Sequence, residues 1–86
     1  RIVYVRRRIL RIMSDLKIKY AGSIDYDDEN GEWSDDIIWG SNYKEFIEDM
    51  KEHMTKRKNS SVFFAAKYVN DRERDITSQV KADCRG

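Results

Sequence analysis

The stretch SSVFFAAKYV, residues 60–69, decides how this chain folds. Apolar side chains occupy both of its parities: Val62, Phe64, Ala66 and Tyr68 on one, Phe63, Ala65 and Val69 on the other. Successive side chains of a strand point to opposite faces, so an unbroken apolar run reads as a strand central in its sheet or covered on both sides.

Upstream, GSNYKEF is a helix start. Asn42 with Glu45 three residues on forms a capping box, with Ser41 as a competing cap. Tyr43, Phe46, Ile47, Met50 and Met54 then fall on one helical stripe through about residue 57, where Lys56, Arg57 and Lys58 place positive charge at the favoured end of the helix dipole. Downstream, NDRERD reads as a turn. Ile76, Ser78, Val80 and Ala82 alternate with Thr77, Gln79, Lys81 and Asp83, the pattern of a last strand.

The N-terminal half has the same order of elements. Ile2, Val5, Ile9, Ile12, Met13 and Leu16 form one stripe of a helix over residues 2–16, with Tyr4, Arg7, Arg8 and Arg11 on its wet side. From Lys17 the period becomes two: Ile18, Tyr20, Gly22, Ile24 and Tyr26 alternate with Lys19, Ala21, Ser23 and Asp25. DDENG follows, its Asn30-Gly31 pair suited to a tight hairpin turn. The return strand, about 32–39, puts Trp33, Ile37 and Trp39 on one face with Asp35 intruding among them. The expectation is an α+β fold in the order αββαββ, a four-stranded mainly antiparallel sheet with both helices on one face. With no proline and no linker, residues 1–86 read as a single compact domain.

Composition narrows the function classes. Forty percent hydrophobic residues supply a modest core, and no apolar run nears the roughly 18 residues of a membrane span, so a soluble chain is expected. The single cysteine, Cys84, has no internal disulfide partner, which favours an intracellular setting, cytoplasmic or nuclear. Charge is segregated: residues 1–20 carry seven bases against Asp15, and residues 21–40 carry seven acids and no base. Such asymmetry bears on partners and association rates rather than on fold.

No catalytic constellation emerges. His53, the one histidine, lies at the edge of the second helix stripe between Asp49 and Arg57, without a poised partner or cleft. Aligning Gly31 with the glycine of a calcium loop puts Tyr26 and Ile37 where two essential carboxylates belong, so no metal is assigned. The four glycines are scattered, and no phosphate-binding loop can be drawn. The sequence therefore points away from an enzyme and implies no cofactor.

Two surfaces remain. The acidic hairpin (Asp27, Asp28, Glu29, Glu32) and an apolar, basic sheet face (Ile38, Phe63, Lys67) suggest a non-catalytic, regulatory protein-interaction module, its partner another protein or a second copy of itself. The alternative is a nucleic-acid-binding module. It would use the wet side of the first helix (Arg7, Arg8, Arg11) or the sheet face of Lys19, Phe63, Lys67 and Lys81, where lysines surround an aromatic ring. Against it stands a pI of 8.0, below the usual range of dedicated binders.

Overall fold

The computed structural model describes residues 2–12, 19–70 and 72–85. The elements run α1 (Ile2–Ile12), β1 (Tyr20–Asp27), β2 (Trp33–Gly40), α2 (Tyr43–Lys56), β3 (Lys58–Val69), β4 (Arg72–Asp75) and α3 (Thr77–Arg85). The strands form one antiparallel sheet in the order β2-β1-β3-β4, so β3 and β1 are central and β2 and β4 are edges. The fold is α+β, as the pattern predicts. Met13 and Leu16 of the expected first stripe, and Lys17 and Ile18 of the expected first strand, lie outside the described residues.

The layering differs from the expectation: α1 and α2 lie on opposite faces of the sheet. One core joins Ile24, Tyr26, Ile38, Val62 and Ala65 of the sheet to Phe46, Ile47 and Met50 of α2, and to Ile76 and Val80 at α3. A second joins Val5 and Ile9 of α1 to Ala21, Phe64, Ala66 and Tyr68, with Ile37 and Phe63 at its margin. The second face sets small side chains among large ones. Ala21 and fully buried Ser23 look like a wet side in sequence, but they let a helix come close.

Strand β3 serves both cores through a bulge. Ser23 pairs with Phe64 but Ile24 pairs with Val62, leaving Phe63 as the extra residue. The bulge reverses the phase, so Val62 joins the α2 side while Phe63 and Phe64 both join the α1 side. An all-apolar run hides such a reversal, because neither parity is polar.

The C-terminal segment corrects the element order to αββαββα. Residues 77–85 are a helix rather than a strand, and β4 is the RERD segment read as a turn. Ile76, Val80 and Cys84 recur every four residues, which fits a helix stripe as well as it fits alternation. Asp75 starts the helix by accepting from the backbone N–H of Thr77 (2.9 Å) and from its hydroxyl (2.6 Å). At α2, Asn42 is the cap: its Oδ1 accepts from the Glu45 N–H at 3.1 Å. In the β1–β2 loop only Gly31 takes a positive φ (77°), and its N–H donates to the Asp28 carbonyl. The loop is therefore a turn closed by a left-handed glycine, one residue longer than the Asn-Gly hairpin expected.

Candidate functional site

The acidic hairpin is tied into the fold rather than presented free. Asp28 Oδ1 accepts from the N–H groups of Asn30 and Glu32, both at 2.9 Å, and so spends its charge on the loop's shape. Asp27 accepts from Asn59 Nδ2 at 2.9 Å. Glu29 and Glu32 are exposed, but Lys56, Arg57 and Lys58 line the same cleft as Asp27, Asp28 and Glu29.

The expected apolar, basic sheet face does not exist as one surface. Ile38 is buried in the α2 core, Phe63 is half-buried beside α1, and Lys67 lies on the α2 face with its ammonium 5.8 Å from the Tyr20 ring. Lys19 is exposed just before β1, and Lys81 is exposed on α3 rather than on a strand. Arg7 and Arg11 are exposed on α1, whereas Arg8 Nη1 bonds Asp35 Oδ1 at 2.7 Å. That ion pair explains the acid that intrudes on the Trp33–Ile37–Trp39 face.

Asp36, singled out by no motif, is a polar node that joins three side chains. Its carboxylate accepts from Tyr26 OH (3.0 Å), Arg57 Nε (3.0 Å) and His53 Nδ1 (3.2 Å), and the Arg57 guanidinium lies 4.5 Å from the Tyr26 ring centre. Burial by itself pushes this carboxyl up, but the bonds from His53, Tyr26 and Arg57 outweigh it and hold the group below its ordinary value. His53 thus pairs across elements with Asp36, not along its own helix with Asp49. The node locks the end of α2 to β2.

At about 100° per residue, Tyr4, Arg8 and Arg11 share one flank of α1, and Arg6 and Leu10 the other. Arg8 reaches Asp35 on β2 while Arg6 reaches Glu73 on β4 (2.7 Å), which orients the first flank toward β2 and the second toward β4. The flank of α1 with Tyr4, Arg8 and Arg11 thus borders the side of β2 that carries Trp33, Ile37 and Trp39. Both tryptophans stay about half exposed, Trp33 at 50% and Trp39 at 47%. Their signal in sequence is the alternating Trp33–Ile37–Trp39 set on one face of the return strand.

Cys84 is half-buried, and burial pushes its thiol up and away from the reactive thiolate. Among the described residues no group of three or more His, Cys, Asp and Glu side chains is placed to hold a metal ion. No helix among them is long and apolar enough to cross a membrane. Compared with known proteins, the chain matches no family model, no curated protein and no solved structure.

Proposed function

We propose that this chain is a non-catalytic protein-interaction module whose contact surface is the border between α1 and β2 and the outer side of α1. One observation carries the reading. Of the large apolar side chains left exposed among the described residues, four are on α1 (Ile2, Val3, Tyr4, Leu10) and two on β2 (Trp33, Trp39), against Val69 alone elsewhere. Two neighbouring elements thus hold six of these seven side chains, which marks a contact site. Tryptophan, tyrosine and arginine are also the residue types that dominate interface energetics. The rim is charged with both signs, Arg7 and Arg11 on the helix and Glu29 and Glu32 at the hairpin tip. That arrangement orients a partner and sets its on-rate.

Affinity capture from a lysate, with and without nuclease and at two salt concentrations, tests it. Retained protein should survive nuclease and be lost from a Tyr4→Ala/Trp39→Ala variant, which should bind its partner at least about thirtyfold more weakly, roughly 2 kcal/mol. Release by nuclease of material that the variant also fails to capture would assign this surface to nucleic acid. Equal capture by the variant would move the contact elsewhere.

A further inference from the structure

The β3–β4 hairpin carries a charge arrangement that stability does not explain. In register, Lys67 is directly opposite Arg74 and Val69 is opposite Arg72. Those four side chains share the face away from α1, since the alternate set, Tyr68 and Glu73, points toward Arg6. Like charges directly opposite each other across strands are destabilising.

Both described acids of the hairpin are committed elsewhere. Glu73 holds Arg6 and accepts from Tyr68 OH, and Asp75 caps α3 through Thr77. Asp71 lies outside the described residues. Among the described residues, neither Arg72 nor Arg74 makes an ion pair. Among the described residues, Lys67, Val69, Asn70, Arg72 and Arg74 line one cleft, with Glu73 as its only acid.

We infer that this cleft binds the phosphate backbone of a single nucleic-acid strand. Guanidinium groups match phosphate oxygens in bidentate geometry. Two strand residues apart, Arg72 and Arg74 are about 7 Å from each other, and Lys67 is about 5 Å across from Arg74. A footprint of that size follows one phosphate backbone and does not bridge the roughly 12 Å major groove of a duplex. Val69, 51% exposed between the cations, offers an apolar surface to an unstacked base, which a duplex keeps hidden.

Fluorescence anisotropy with a labelled single-stranded oligothymidylate, titrated at several salt concentrations, tests the inference. Three phosphate contacts predict a log–log salt slope of about −2 from this cleft. The Arg72→Gln/Arg74→Gln variant should lose about 1.4 units of that slope and at least about tenfold in low-salt affinity. Lys56→Gln/Lys58→Gln removes the same charge where α2 ends and β3 begins, about 30 Å away along the strand, and should change neither. Equal loss in that control, no binding by the unmodified chain at low salt, or tighter binding of a duplex of equal length would each overturn the assignment. The premise has its own readout. Arg74→Gln should raise Tm by about 1–4 °C by removing the cross-strand repulsion, and a lower Tm would show that the cations serve stability and would overturn the proposal.

Discussion

At the scale of single residues, the contacts that matter most join positions far apart in the chain. Asp36 gathers Tyr26 of β1 and His53 and Arg57 at the end of α2, with 18% of its side chain exposed. Replacing it with asparagine leaves Arg57 and His53 without their anion, so Asp36→Asn should cost about 1–3 kcal/mol at pH 7. The pH dependence has a definite sign. Because the folded carboxyl is held below its unfolded value of 3.8, its contribution is fully present above that value and is lost as pH falls through the folded one. Urea midpoints at pH 7 and pH 3 should therefore fall further on acidification in the unmodified protein than in Asp36→Asn; parallel losses would remove Asp36 from the account. Gly22 makes the complementary point. A Cβ there would sit 3.0 Å from the Phe64 carbonyl oxygen and 3.1 Å from the Phe46 ring, so Gly22→Ala should destabilise by about 1–3 kcal/mol in the same titration. Periodicity places Gly22 on the correct face, but it cannot show that Phe46 rests on it. Likewise it pairs His53 with helix neighbours, because nothing in a linear pattern brings residue 36 to residue 53.

Among elements, legibility followed the strength of the apolar signal. The stripe of α2 and the alternation of β1 are long and unambiguous, and both elements stand where the pattern puts them. β4 is four charged residues with no apolar partner to alternate with, and the charge that hides it from a pattern reading also guards it as an edge strand. α3 was lost to an even spacing shared by strand and helix, and its cap, Asp75 on Thr77, was the cue that separates them. α1 leaves much of its apolar surface off the sheet: Val5 and Ile9 are buried, while Ile2, Val3, Tyr4 and Leu10 remain in water. The ion pairs Arg6–Glu73 and Arg8–Asp35 hold partly exposed arginines and add little beyond position. Elements with few buried contacts open at lower free energy than the core. Hydrogen exchange should accordingly show less protection in residues 2–12 than in β1 and β3, and Ile9→Ala should widen that gap by releasing α1 while the sheet holds. Uniform loss of protection would mean that α1 opens only with the whole domain.

For the molecule as a whole, the consequence of placing helices on both sides is a core divided by the sheet. The segregation of charge along the chain does not survive folding, because Arg8 meets Asp35, Arg57 meets Asp36, and the Lys56–Lys58 segment lies against the acidic hairpin. The face that α1 covers was not legible, because Ala21, Ser23 and Ala66 gave no apolar alternation strong enough to declare it. A divided core makes a quantitative claim. Ile9 belongs to the α1 side and Ile24 to the α2 side, both fully buried and with backbone between the two clusters. Ile→Val at either site removes one methylene and should cost about 0.5–1.5 kcal/mol. Sites that share no packing partner combine independently, so the Ile9→Val/Ile24→Val double variant should lose the sum of the single losses within about 0.5 kcal/mol in urea unfolding. A coupling above about 1 kcal/mol would mean that the two clusters repack as one, and that α1 and α2 compete for the same space rather than flanking a common sheet.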